Sequence, residues 1–466
     1  MNHNIKIKKG LDIPLSGDAE RIVVDMRSEE RYAVKPPDVV GFTPRLLVAE
    51  GDEVVAGQPL VEDKRDQRLT LPSPVNGKVQ AIVRGEKRRL MEVIVAAGKT
   101  GTSGISGISG ISGEPRSAGA PTLSPEAPVW WMIKERPFGT IANPDHKPKG
   151  IFVSMRDTNP LAPDLAFALR GREHEFEAGI AALGQLAEVH TVHAEGPHPA
   201  GNVGTQIAAI SPLNKGEYVW TVNAQDVATI GRWCLTGEYR PERVIAVGGP
   251  AAKCPKYYRV LCGTSIQRIA EVQLMNPDYP CLAATSSNSR DSRDSRDSSN
   301  SSSTRIISGS VLSGTRIEAD GFLGMYDHQL TFIEEGDQYE FMGWLMPGLD
   351  KFSFSKTFLS GLMAPFKMLE PLMPVKPTYS FNTNLHGSVR PFLFTGSFER
   401  VFPFDIYPLQ LIKACIVGDI ELQEQLGIYE VEPEDFALCE FIDPSKTEIQ
   451  TIIREALEVL RKEATA

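Results

Sequence analysis

Clustered cysteine is the first thing this 466-residue chain lacks. Its six cysteines, Cys234, Cys254, Cys262, Cys281, Cys415 and Cys439, include no C-x-x-C pair. Iron–sulfur clusters and structural zinc usually draw on thiolates a few residues apart, so neither is expected on this chain. Without an export signal, the six are expected as reduced cytosolic thiols. An excess of basic charge is missing too. Lys+Arg number 49 against Asp+Glu 59, a net charge of −10, which leaves no broad positive surface for a nucleic-acid backbone. No run of about 18 uncharged apolar residues crosses a bilayer. Met1–Gly10 alternates Ile5 and Ile7 with Lys6, Lys8 and Lys9, and has no signal-peptide core. There is no G-x-G-x-x-G, no Walker loop and no G-x-S-x-G, so phosphate cradling and serine hydrolysis lack their usual local geometry.

What is present reads as a soluble multidomain α/β protein. Apolar residues make up 41% and charged residues 23%, within the ordinary globular range. At roughly 150 residues per domain the length suits about three domains. Two stretches interrupt the globular pattern. Residues 99–128 carry a Gly-Ile-Ser run at 104–112, and residues 285–304 carry Ser-Arg-Asp repeats followed by serines. Such compositions bury little apolar area, so both are read as flexible insertions marking boundaries.

Residues 1–98 read as short strands with turn punctuation. Glu50-Gly51-Asp52-Glu53-Val54 through Gly57-Gln58-Pro59-Leu60, then Pro74-Val75-Asn76-Gly77-Lys78-Val79, is similar to the biotinyl/lipoyl carrier domain, a small β-barrel. Lys64 sits where a carrier lysine would. Its neighbours Asp63 and Arg65 match a modification site poorly, so a docking module is the main reading. Residues 129–256 alternate strand and helix signals: a strand at 150–154, a helix from Phe176, strands at 188–192 and 218–222, a helix at 226–235 and a strand at 243–247. That alternation argues for a doubly wound α/β layer. Residues 257–341 return to short strands. From 407 the chain reads as helical. It ends on a stripe of Ile449, Ile452, Ile453, Leu457 and Leu460 behind a capping box at Ser445–Glu448.

Individual residues offer few strong chemical signals. Gly196-Pro197-His198-Pro199-Ala200-Gly201-Asn202 holds His198 on a fixed path, where it could bond a carbonyl or be a plain connector. His190 and His193 fall on opposite faces of a strand, which is wrong for shared metal ligation. Residues 351–374 are basic, aromatic and apolar on an acidic protein. Lys351, Phe352, Phe354, Lys356, Phe358 and Lys367 are therefore candidates for docking on a membrane or a membrane subunit, with a core segment as the alternative.

Taken in order, Lys6–Pro14, Gly51–Val54, Arg136-Pro137-Phe138, Asp157–Ala162, Gly196–Gly201, Arg305–Gly314, Lys351-Phe352-Ser353 and Leu438–Phe441 resemble the A-type subunit of the bacterial sodium-translocating NADH:quinone reductase over nearly the whole length. The resemblance implies a peripheral subunit on the cytoplasmic face of the inner membrane, within a six-subunit respiratory complex that exports Na⁺. It implies quinone as substrate and the B-type membrane subunit as the chief of five partner subunits. It further implies that FAD, FMN, riboflavin and iron–sulfur reside on other subunits, with NADH and Na⁺ used by the complex and no redox cofactor on this chain. Similarity to the C-type subunit of the Rnf complex and to the flavin-carrying subunit of complex I implies a Rossmann-like layer for 129–256 and a β-grasp-like layer for 257–341. An irregular docking segment at 342–406 and a helical domain at 407–466 complete the chain. Those relatives hold flavin with a Gly-rich loop, whereas Arg136-Pro137-Phe138-Gly139-Thr140 has one glycine. By residue type, a quinone head is expected among Trp131, Arg136, Phe138, Asp157 and His198, with Arg136 or His198 as donor and aromatic walls. A pure docking scaffold is the alternative.

Overall fold

The computed structural model describes residues 1–98, 122–274, 303–337, 342–343, 345–348, 351–354, 358, 378–392 and 396–464. The Gly-Ile-Ser run, the Ser-Arg-Asp repeats, Lys356 and Lys367 lie outside them.

Turn chemistry builds the first module. Gly51 and Gly57 take positive φ of 95° and 86°, the conformation a side chain disfavours, at the bends between short strands. Arg31–Val34, Leu90–Ala97, Gly77–Arg84 and Glu53–Val54 form one antiparallel sheet, and Pro44–Leu46, Pro59–Asp63 and Thr70–Pro72 form another. Val54, Val79, Val93 and Val95 from the first join Leu60, Val61 and Leu71 from the second in one buried cluster. Lys64 is exposed just after Pro59–Asp63.

The module begins later than the first residue. Asn2–Lys6 pairs in parallel with Val189–Glu195 at the edge of the α/β sheet, and Glu20–Asp25 pairs with Lys256–Leu261 at the edge of another. Both segments are ordinary edge strands in pattern, so local sequence does not say which sheet they join.

The α/β layer has Ile151–Ser154 at its centre. Val189–Glu195 lies on one side and Val219–Thr221 on the other, both parallel to it. Lys134–Arg136 adds an antiparallel strand beyond Val219–Thr221. Helices Glu173–Leu183 and Ala224–Thr236 pack closely because glycines meet at the crossing. A Cβ on Gly231 would stand 1.7 Å from the Glu175 carbonyl oxygen, and one on Gly179 would stand 2.0 Å from that of Val227.

Strand Glu242–Gly248, expected in this layer, belongs instead to a second sheet. The order there is Thr315–Ile317, Thr304–Ser308, Gln329–Glu334, Glu242–Gly248, Lys256–Leu261, Glu20–Asp25. Every residue of Glu242–Gly248 is buried, and a strand so uniformly buried carries no mark of its sheet. Within the stretch expected as strands alone, helix Gln267–Leu274 covers the sheet through Ile269 and Ala270.

The C-terminal domain packs Pro408–Val417, Ala437–Ile442 and Ile449–Ala464 around Phe402, Phe436, Ile453 and Leu457. Asp443 accepts from the Ser445 and Thr447 amides at 3.0 Å, and Glu440 accepts from Gln450 N at 2.8 Å. A carboxylate two residues ahead of Ser445 thus reaches amides in the stretch leading into the helix.

The thiols need one correction. Cys234, Cys262, Cys415 and Cys439 are free, but Cys254 is disulfide-bonded rather than reduced. The absence of C-x-x-C spacing excludes neighbouring pairs, not bridges between residues distant in sequence.

Candidate functional site

The chain leaves the central strand Ile151–Ser154 toward one edge and returns on the opposite side as Val219–Thr221. Helices therefore leave in opposite directions from adjacent strands, and a crevice opens at the strands' carboxyl ends. A cavity of about 190 Å³ occupies that position. Ser154, Asp157 and Asn159 enter from the end of the first strand, and Thr221 and Asn223 from the other. Asn202 heads helix Val203–Ile210, and Asn223 heads Ala224–Thr236. Lys134, Tyr326, His328 and Glu434 arrive from remote elements and close the far side.

The two asparagines differ in one respect. Asn223 Oδ1 accepts from Gln225 N at 2.9 Å, the usual capping role. Asn202, 5% exposed, makes no such bond, and neither its Oδ1 nor its Nδ2 has a hydrogen-bond partner among the described residues. Asn159 Oδ1 is similarly unpartnered. Buried amides are normally satisfied, so these atoms mark a place for a polar ligand or ordered water.

Electrostatics around the cavity favour neutral forms. Burial pushes Asp157 above the usual carboxylate range, opposed by hydrogen bonds from Asn159 N and Nδ2, each 2.9 Å. Burial also raises Glu434 to about 7, helped by Asp435, Asp157 and Glu432 and opposed by Lys134. It lowers Lys134, whose ammonium sits 3.7 Å from the centre of the Tyr326 ring. His328 lies well below its ordinary value, from burial and from the Arg243 and Lys134 charges. Asp226 is clamped by Arg243 at 2.9–3.2 Å, both side chains buried.

Of the five residues expected to hold a quinone head, Asp157 alone lines this cavity. Trp131 is core: its indole N–H donates to Tyr239 Oη at 3.2 Å, and its carbonyl accepts from Tyr326 Oη at 2.9 Å. Arg136 is buried with its Nη2 between Glu432 at 3.0 Å and Asp435 at 3.1 Å, while its Nε has no hydrogen-bond partner among the described residues. Phe138 stands edge-on to Tyr429, with ring centres 6.2 Å apart. His198 is 1% exposed, its Nδ1 3.2 Å from Thr158 Oγ1 and its amide donating to Asp12 Oδ1 at 3.0 Å. Burial takes its pKa down to about 4, and its Nε2 is unpartnered. The five thus fall into separate neighbourhoods. Arg136 and Phe138 meet the C-terminal domain, Thr158 bridges toward His198, and Trp131 is internal. The Arg136–Thr140 stretch is a hairpin between Lys134–Arg136 and Thr140–Ile141.

Two family models match the chain. One, the NqrA N-terminal barrel-sandwich hybrid domain, covers residues 5–98; the other, the NqrA second alpha/beta domain, covers 125–195 and 185–239. A Rhodopirellula baltica protein, named as the A-type subunit of a Na(+)-translocating NADH-quinone reductase, is 35% identical over 98% of both chains. Proteins of the same name from Neisseria meningitidis serogroup B and Yersinia pseudotuberculosis are 34% and 33% identical, over 98% of this chain and 100% of theirs. The chain belongs to the NqrA family of Na⁺-translocating NADH-quinone reductase subunits.

As a member of that family, it is part of an NADH-quinone oxidoreductase coupled to sodium translocation. Among its described residues no helix is long and apolar enough to cross a membrane, and no group of three metal-ligating side chains gathers. His190 pairs instead with His3, Nδ1 to Nε2 at 3.0 Å. In the expected docking stretch, Lys351 lies over the Phe358 ring at 5.6 Å, and Arg400 covers Phe354 at 4.7 Å. Phe352 packs among Tyr379, Phe381 and Phe441. Phe352 and Phe354 are half-buried in these contacts.

Sequence reasoning missed Lys134, Asn202, Asn223, Tyr326, His328 and Glu434. Asn202 and Asn223 had a readable signal, an asparagine just ahead of a helix that follows a loop or strand. The other four come from remote elements and had none.

Proposed function

We propose that this protein holds a quinone head group in the crevice at the carboxyl ends of Ile151–Ser154 and Val219–Thr221, without a redox centre of its own. One observation carries the reading: Asn202, buried at the cavity wall with both amide atoms unpartnered. An amide donor facing a quinone carbonyl would satisfy it, with Lys134 as a second donor and Leu165 and Val222 as apolar wall. Electrons then arrive from flavin and iron–sulfur groups on the partner subunits.

We read the protein as peripheral on the cytoplasmic face, docked chiefly on the B-type membrane subunit through residues 342–406. Leu345, Met346, Leu385 and Val389 in that stretch are each more than half exposed, which supports such a contact. We read the α/β layer as Rossmann-like. The second sheet is β-grasp-like, a reading supported by Glu242–Gly248 lying parallel to Gln329–Glu334 and antiparallel to Lys256–Leu261.

The alternative is a docking scaffold with no quinone contact, favoured by the structural contacts that already occupy Trp131, Arg136 and His198. Titrating a short-chain quinone into the complex and its Asn202→Leu variant separates the two. Loss of one buried amide donor weakens affinity by roughly tenfold if the crevice is the site. Unchanged affinity supports the scaffold.

A further inference from the structure

The inner cavity has a neighbour. A groove of about 530 Å³ runs between the Pro36–Pro44 turn of the first module, Phe138–Gly139, and the last helix at Arg454, Leu457 and Arg461. Its rim residues Arg65, Arg89, Arg454 and Lys462 are exposed, so it opens to solvent. Lys134 and Glu434 line both this groove and the inner cavity, and no other residue is shared between the two linings. Both side chains are proton carriers. Neither head group is held by a hydrogen bond or an ion pair within 4 Å among the described residues; Lys134 stands amid carboxylates, and Glu434 amid three other carboxyl groups and Lys134.

We propose that Lys134 and Glu434 form the wall through which protons pass from the outer groove to a quinone in the inner cavity. This rests on the quinone reading above. Reducing a quinone to a quinol takes two electrons and two protons. The electrons come through the complex from NADH, and each carbonyl oxygen takes one proton. The Lys134 ammonium gives its proton to the reduced oxygen and is left as an amine. A water between the two side chains, which stand more than 4 Å apart, takes a proton from the carboxylic acid of Glu434 and passes one to the Lys134 amine, and Glu434 is refilled from water in the groove. Two such transfers complete one quinol.

The surroundings keep both groups able to exchange. Glu434 faces Asp435 and Glu432 on its own segment, Asp157 from the loop after the central strand, and Lys134. Lys134 faces Glu432, Glu434, Asp327 and Asp226, and its charge is felt at Asp38 and His328. With burial raising Glu434 to about 7, the carboxyl is near half-protonation at neutral pH, where a relay works best.

The test uses the assembled complex, with NADH as donor and a short-chain quinone as acceptor. Glu434→Gln is expected to lower kcat roughly 100-fold while KM stays within about twofold, the signature of a lost proton-transfer step, and Lys134→Met to lower kcat as much while also raising KM, because it removes a donor to the quinone. Glu434→Asp is expected to restore most of the rate. The wild-type rate is expected to fall as pH rises above about 7, when Glu434 loses its proton, and the Gln variant to lack that limb. An unchanged kcat in both variants, with Asn202→Leu still weakening quinone binding, overturns the relay and leaves the quinone site standing. Unchanged binding in Asn202→Leu overturns both. If the Gln and Met variants fail to assemble, wild-type quinol formation in deuterated buffer decides: a clear slowing supports the relay, and none overturns it.

Discussion

Arg136 and Asp435 meet at 3.1 Å with both side chains almost wholly buried, tying the edge of the α/β sheet to the C-terminal domain. Glu432 adds a second carboxylate at 3.0 Å, and the Glu430 carbonyl accepts at 3.4 Å. The pair also presses on helix Val203–Ile210. A Cβ on Gly204 would lie 2.4 Å from Asp435 Oδ1 and 2.8 Å from Arg136 Nη1. Arg136 therefore holds the domain that supplies Glu434 against the helix that supplies Asn202.

Removing one partner leaves a buried charge uncompensated. Asp435→Ala is expected to cost about 3–5 kcal/mol of stability, read as a lower urea midpoint. Arg136→Met strands both Asp435 and Glu432 without their cation and is expected to cost at least as much, since Asp435→Ala leaves Arg136 paired with Glu432.

Gly204→Ala tests the close approach without touching a charge. The added methyl has a carboxylate and a guanidinium in its place, so a loss of about 1–3 kcal/mol is expected. Replacing Gly216, with nothing within 4 Å of its Cβ position, is the steric control, although its φ of +83° adds its own strain. A Gly204→Ala protein as stable as wild type would mean the domains are not pressed together here.

His198 gives a pH dependence with a defined sign. Its folded pKa, about 4, lies below the ordinary 6.5, so the unfolded chain binds the proton more readily. The stabilisation is fully present above about 6.5 and is lost as pH falls toward 4, amounting to roughly 3 kcal/mol. Urea midpoints across that window are expected to fall in wild type and to fall less in His198→Asn.

The free thiols are expected to be inert in the folded protein. Burial pushes Cys262 and Cys415 up to about 12 and Cys439 well above its ordinary value, so little thiolate exists near pH 8. Alkylation followed by peptide mapping is expected to modify Cys262 and Cys439 only after denaturant is added. Rapid native labelling of Cys439 would contradict its burial.

Much of the fold was legible because the relevant signals are local. The strand at 151–154, the helix at 224–236 and the stripe from Ile449 to Leu460 all lie close to where periodicity puts them. The sheet that takes Glu242–Gly248 was not legible, since its pairing with Gln329–Glu334 spans about eighty intervening residues. The site was read less well for the same reason. Residue type suggested Arg136 and His198 as donors, yet an arginine's availability depends on carboxylates three hundred positions away. Asn202 looked like loop punctuation, and only the missing cap bond sets it apart.

The central claim is that a quinone head sits in the crevice between two adjacent strands of this protein. Photo-crosslinking the assembled complex with an azido-quinone, followed by peptide mapping, tests it most directly. Labelled peptides from this chain containing Asn202, Asn223 or Lys134 are expected, with labelling that excess quinone suppresses. Label confined to the membrane subunits, with none on these peptides, would contradict it.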